Sequence, residues 1–154
     1  MTILIAYDGS DDSKTAVERA AGLLRPAPAV VLTVWEPLLM QLARTTLVAP
    51  GPLIDGNDME LQKEQQEQAA QTAEEGAEIA RRAGLPDAVA RAEATSGPIW
   101  STIVDVAADI EATLLVSGTR GLGRAKSVLL GSVSDRVLHH AGRPVLIIPH
   151  DADE

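Results

Sequence analysis

The sequence predicts an α/β domain built on a doubly wound, five-stranded parallel sheet in the order 3-2-1-4-5, with helices on both faces. Three observations predict it. Short apolar runs of strand length recur along the chain, stretches with apolar residues at helical spacing separate them, and the two kinds alternate strictly from residue 3 to residue 148. Strands that alternate with helices in this way lie parallel and are joined by right-handed crossovers.

Each element has its own signal. Ile3, Leu4, Ile5 and Ala6 form a buried-strand run that stops at Asp8, Gly9 and Ser10. Ser10 or Asp11 can cap a helix on which Val17, Ala20, Ala21 and Leu24 recur, and Pro26 and Pro28 end it. Residues 29 to 34 make the second strand. A long connection from Glu36 to Asn57 follows, carrying Pro37, Pro50, Gly51, Pro52 and Gly56, and the length and Pro/Gly content of its part from Leu38 to Asp55 suit a mobile lid. Asn57 and Glu60 form a capping-box pair before a Gln/Glu/Ala-rich helix that runs to Arg82, with Gly84 and Pro86 as its stop. The charges along that helix read as a solvated face. Val89, Arg91 and Glu93 alternate with alanines as a third strand, and Ile99, Ile103, Val106, Ala107 and Ile110 mark a third amphipathic helix. Leu114 to Val116 is the fourth strand, Ser132 to Ala141 the fourth helix and Val145 to Ile148 the fifth strand. Residues 1 to 154 read as one domain, with no internal repeat or linker.

In the order 3-2-1-4-5 the first and fourth strands are neighbours, and the topological switch lies between them. Ligands of open α/β sheets bind in the crevice beyond the carboxyl ends of such strands. Asp8 and Gly118 therefore flank the expected site.

Composition narrows the function. The chain has 154 residues, a formal net charge of −9 and a pI of about 4.7, which opposes binding to nucleic acid or to an anionic membrane surface. There is no cysteine, hence no disulfide framework and no thiolate zinc site. The start reads as a strand rather than a signal peptide, and no apolar run is long enough to span a membrane. A cytoplasmic protein is expected. The only aromatic residues are Tyr7, Trp35 and Trp100, so the core must be aliphatic.

The strongest chemical signal is Gly118 and Gly121, followed after nine intervening residues by Gly131 and Ser132, directly after one strand and directly before a helix. Glycines let backbone approach a ligand and adopt positive φ. Free amides at a helix N-terminus favour an anion. Arg120, Arg124 and Lys126 add a basic patch within an acidic chain, as a phosphate site needs. The plainer alternative is a glycine-rich loop with solvated cations. Asp8 also has two readings: a ligand for a ribose hydroxyl or a metal, or a cap for the first helix.

These residues resemble the universal stress protein family, whose nucleotide-binding members carry Gly-x2-Gly-x9-Gly-Ser/Thr at this place. The resemblance spans essentially the whole chain, including Ile5 to Ser10, Leu32 to Val34 and Gly131 to Ser134. It implies an adenosine near Ala6, Asp8 and the Val34 backbone, with phosphates on Gly118, Gly121, Gly131 and Ser132, and with Arg120, Val133 and Ser134 beside them. The implied ligand is ATP with magnesium, and the implied assembly a homodimer. The apolar edge strand Val145 to Ile148 points to the same assembly, since such edges are normally covered or paired. One departure is Thr113, where the family often has Asp, at the far end from the pocket.

Other motifs fail. An EF-hand reading from Asp8 has Ser13 at the glycine position and Arg19 at the bidentate acid. A Ser-Gly-Gly-x-Asp-Ser pyrophosphatase loop would have Asp8 and Ser10 in place of its first serine and second glycine. Ala125 and Arg120 stand where Walker A glycines belong, and Gly121 and Gly123 are followed by Lys126 rather than by the third glycine of a dinucleotide fingerprint. His139 and His140 are adjacent on a helix and face different ways. Trp100 reads as packing. No serine has an identifiable base and no carboxylate pair is placed for acid/base work. The expectation is a nucleotide-binding regulatory protein, against two alternatives: an ATP-using enzyme of related architecture, or a nucleotide-free interaction module. The sequence leaves ATP, ADP, AMP and cyclic AMP open.

Overall fold

The computed structural model describes residues 1–38, 40–41, 57–119 and 131–149. The elements follow in the order β1 (Ile3–Ala6), α1 (Asp11–Leu23), β2 (Ala29–Trp35), α2 (Asn57–Ala83), β3 (Ala88–Ala94), α3 (Ile99–Asp109), β4 (Leu114–Gly118), α4 (Ser132–His140) and β5 (Val145–Ile148). All strand pairs are parallel and the sheet order is β3-β2-β1-β4-β5, as the sequence predicts. Boundaries move by a residue or two. β2 runs on to Trp35, whose carbonyl accepts the Thr95 amide, and α3 and α4 stop one residue short of Ile110 and Ala141, which are their C-caps. Asn57 opens α2 from within, and its side chain, with the capping box built on it, falls outside the described residues.

β1 is the centre of the sheet. Ile5 pairs with Val31 on one side and with Val116 on the other, and Ile3, Leu4 and Ile5 have no exposed surface. Alternate side chains of the strands feed two separate cores. Ile3, Ile5, Val31 and Val116 pack with Ala16, Val17, Ala20, Ala77 and Ala80 of α1 and α2. Leu4, Leu32 and Leu115 pack with Ile103, Val106, Ala107 and Val137 of α3 and α4. Small residues set the spacing on the first face: a Cβ on Gly76 would lie 2.7 Å from Tyr7 and 2.8 Å from Val31, so at this position α2 has room for glycine alone. Among the described residues no helix is long and apolar enough to cross a membrane.

The two edge strands differ. On β3 the alanines Ala88 and Ala90 face α1 and α2, while Arg91 pairs with Glu93 at 2.8 Å and with Asp109 at 3.0 Å. Such charges discourage edge-to-edge association. β5 is Val, Leu, Ile and Ile, and its first three residues are half-buried.

Tyr7, 3% exposed, donates its hydroxyl to Glu75 of α2 at 2.5 Å, and Lys14 of α1 lies 3.5 Å from the same carboxylate oxygen. Burial, then the Glu75 hydrogen bond, pushes the Tyr7 phenol well above its usual range, while the Tyr7 hydrogen bond holds Glu75 below the usual carboxylate range. The bond thus stabilises the fold while the phenol is protonated and the carboxylate ionised. Its contribution is lost as pH rises above 10.0, and it is lost again as pH falls below 4.5, the ordinary values of the two groups. Because the Glu75 side chain is 52% exposed, Tyr7→Phe is expected to cost only about 0.5–1 kcal/mol at neutral pH. Urea unfolding across pH should show the difference between the two proteins shrinking at both extremes; a constant difference would contradict this assignment.

Candidate functional site

Beyond the carboxyl ends of β1 and β4 the sheet opens into a cleft. Ala6, Asp8, Val34, Gly118, Val133 and Ser134, all expected from sequence, line it. Gly131 and Ser132 stand at the start of α4, adjoining Val133. Arg120 and Gly121 lie outside the described residues, as do Arg124, Lys126 and nearly all of the long connection after β2.

One wall comes from the end of β1. The Tyr7 amide donates to the Leu32 carbonyl at 2.9 Å, and the buried Thr33 hydroxyl donates to the Tyr7 carbonyl at 2.9 Å, so the strand's exit is fixed from β2. The chain then turns. Gly9 has φ 82°, a conformation that favours glycine. Asp8 accepts the Ser10 amide at 2.9 Å, and the Ser10 hydroxyl accepts the Ser13 amide at 3.2 Å. The cap of α1 is therefore Ser10, and Asp8 holds the turn before it. Asp8 remains exposed, and its second carboxylate oxygen, Oδ2, makes no hydrogen bond among the described residues.

The opposite wall is α4. Its N-cap is Gly131, at φ −65° and ψ 157°, with no side-chain cap. The Gly131 amide donates to the Thr119 carbonyl, and the first amide to reach back along the helix is that of Asp135, to the Gly131 carbonyl at 2.9 Å. The amides of Ser132, Val133 and Ser134 precede it and have no acceptor within the helix. They open beside the cleft with the positive end of the helix dipole. Below them the Ser134 hydroxyl donates to the Gly118 carbonyl at 2.6 Å and lies 2.9 Å from the Ser117 hydroxyl.

The expectation that glycine serves here through positive φ is not met at the described positions. Gly118 has no positive φ, and a Cβ on it would come no nearer than 3.5 Å to the Asp12 carbonyl, an ordinary contact. Gly131 has an extended backbone open to any residue. What Gly131 provides is the absence of a capping oxygen.

Leu32, Ile99 and Ile103 complete an aliphatic side of the cleft, and Tyr7, Ser13 and Ser117 line it as well. None of these six is among the site residues expected from sequence. Leu32 and Ser117 were detectable, since each precedes or follows a site residue by one or two positions on its strand; Ile99 and Ile103 register only once α3 is laid across the sheet. Trp100 lies outside the lining and stacks on His140, with ring centroids 4.4 Å apart, and His139 faces Asp135 at 3.3 Å. Among the described residues no group of three His, Asp or Glu side chains is placed to hold a metal.

The family profile described as "Universal stress protein family" matches residues 1–149. The chain belongs to the universal stress protein family. A universal stress protein of Thermus aquaticus, located in the 3′ region of a QAH/OAS sulfhydrylase, is 34% identical over 151 residues, covering 96% of this chain and 97% of the relative. A universal stress protein solved in complex with cAMP is similar at 26% identity and a TM-score of 0.64, covering 97% of this chain and 96% of that one. The hypothetical protein MJ0577 superposes with a TM-score of 0.75 over 97% of this chain and 96% of that one, and at 20% identity it supports the fold alone.

An N-terminus without a cap should gain from one. Gly131→Asp supplies an acceptor for these amides in a backbone conformation that Asp adopts freely. The ligand-free variant is expected to equal or exceed the parent in stability, by up to about 0.5 kcal/mol. Thermal unfolding checks this, and a clear loss of stability would mean that the α4 amides already have partners.

Proposed function

We propose that this protein binds an adenine nucleotide in the cleft between β1 and β4 and acts as a nucleotide-controlled regulatory protein, with the nucleotide as ligand rather than substrate. The observation that carries the reading is the pairing of two unlike surfaces across one cleft. An aliphatic side formed by Leu32, Val34, Ile99 and Ile103 suits the flat, apolar face of a base. The uncapped start of α4 suits phosphate. Asp8, between them, has an exposed carboxylate for ribose hydroxyls. The cAMP complex of a structural relative supports the same class of ligand.

ATP with magnesium is the ligand we propose, with Gly118, Gly131 and Ser132 meeting the phosphates and with Arg120 and Gly121, outside the described residues, contributing from the glycine motif. The cation would arrive with the phosphates, since the described residues provide no cluster to hold it alone. The arrangement of the cleft's serines supports the reading as a ligand rather than a substrate. Among the described residues its serine hydroxyls, Ser13, Ser117 and Ser134, have hydrogen-bond partners in serine and main-chain groups and none in a histidine or carboxylate base, while the Tyr7 hydroxyl of the lining donates to the Glu75 carboxylate.

Calorimetric titration tests this directly. The parent protein should bind ATP with magnesium, and it should prefer adenine over guanine nucleotides. Gly131→Asp should lose affinity on the order of 100-fold or more, since a carboxylate occupies the amides and repels the phosphate. Equal affinity for ATP in the two proteins would place the phosphates elsewhere; fast phosphate release would favour the enzyme alternative.

We also propose a homodimer formed through β5. Its four apolar residues make an outer edge without the charges that protect β3. Sedimentation at micromolar concentration should give twice 16.2 kDa, and a monomer at that concentration would contradict the assignment.

A further inference from the structure

Two buried serines compete for one carbonyl at the floor of the cleft. Ser134 is 3% exposed and Ser117 is 7% exposed. The Ser134 hydroxyl donates to the Gly118 carbonyl at 2.6 Å, the Ser117 hydroxyl lies 3.1 Å from the same oxygen, and the two hydroxyls are 2.9 Å apart. Each hydroxyl has a single proton to give. With the Ser134 proton on Gly118, the Ser117 proton falls on the Ser134 oxygen, and the chain runs from Ser117 to Ser134 to the carbonyl.

Ser134 sits in the first turn of α4, among the uncapped amides, and its hydroxyl can serve an anion there only by leaving the Gly118 carbonyl. A buried carbonyl that loses its donor is costly. We infer that Ser117 is a positioning residue that makes this exchange cheap: when Ser134 turns its proton to a ligand phosphate, Ser117 turns its own to the Gly118 carbonyl, already within reach. No proton is transferred, because both hydroxyls only rotate. Ser117 touches no ligand in this scheme. The inference rests on the proposed nucleotide site and adds to it the reason for a hydroxyl on a strand whose neighbours are Leu115 and Val116.

The relay differs from mere packing in one respect: Ser117 matters to binding only while Ser134 has a hydroxyl to release. The test is a double-mutant cycle with ATP and magnesium, using Ser117→Ala, Ser134→Ala and the double variant, with the unfolding temperature of each recorded. Ser117→Ala should lower ATP affinity on the order of tenfold. On the Ser134→Ala background the same change should have an effect under about twofold. Ser117→Cys, similar in size and a weaker donor, should give the same pattern with smaller amplitude. Parent binding with an equal loss on both backgrounds, or with no loss on either, overturns the relay and leaves the nucleotide site standing. No ATP binding by the parent overturns both.

Discussion

Everything at the cleft depends on β1 being paired on both sides while the chains leaving β1 and β4 turn to opposite faces of the sheet. After β1 the chain rises into α1, which covers Ile3, Ile5 and Val116; after β4 it reaches α4, which covers Leu4 and Leu115. Two strands held in register at Ile5 and Val116 thus end in chains that diverge, and the divergence leaves a crevice that no side chain of either strand fills. The right-handedness of the crossovers imposes this on any sheet of this order. The same constraint explains the aliphatic core. Strands covered on both faces need chiefly apolar side chains, and α2 meets Tyr7 and Val31 so closely that it carries glycine at position 76.

On that frame the site is made chiefly of backbone. The Tyr7 carbonyl and amide are fixed from β2, the Asp8 turn is fixed by Ser10, and α4 offers amides rather than charged side chains. A site of this kind is preorganised, because its donors are held by the sheet and the helix and lose little freedom when a ligand arrives. It also tolerates the chain's net charge of −9, since the local field at a helix N-terminus is positive whatever the surface carries.

The fold was legible because its signals are local and repeated: buried runs, helical spacing and proline or glycine stops decide strand and helix, and strict alternation decides the sheet. The position of the cleft followed from topology alone, which is why Asp8 and Gly118 could be named from strand order before any coordinates, while Ala6 and Val34 came from the family resemblance. The α3 wall was not legible, because nothing in the spacing of Ile99 and Ile103 separates a cleft residue from a core residue; only the angle at which α3 crosses the sheet does. The positive-φ part of the glycine expectation failed for the same kind of reason. Composition shows that Gly118 and Gly131 lack side chains, but only backbone angles show that neither needs positive φ. The Ser117 hydroxyl has no signal in the sequence, because only the fold brings Ser134 within 2.9 Å of it.

The central claim is that phosphate meets the first amides of α4 while the base lies against β2 and α3. Amide correlation spectra by nuclear magnetic resonance, recorded as ATP with magnesium is added to the parent protein, report on both ends of the cleft at once. The account predicts the largest shifts at Ser132, Val133 and Ser134, with a second group at Ala6, Asp8, Val34 and Ile103, and little change along β3. Shifts confined to the β3 edge or to the outer face of α2, or no shifts at saturating nucleotide, would contradict it.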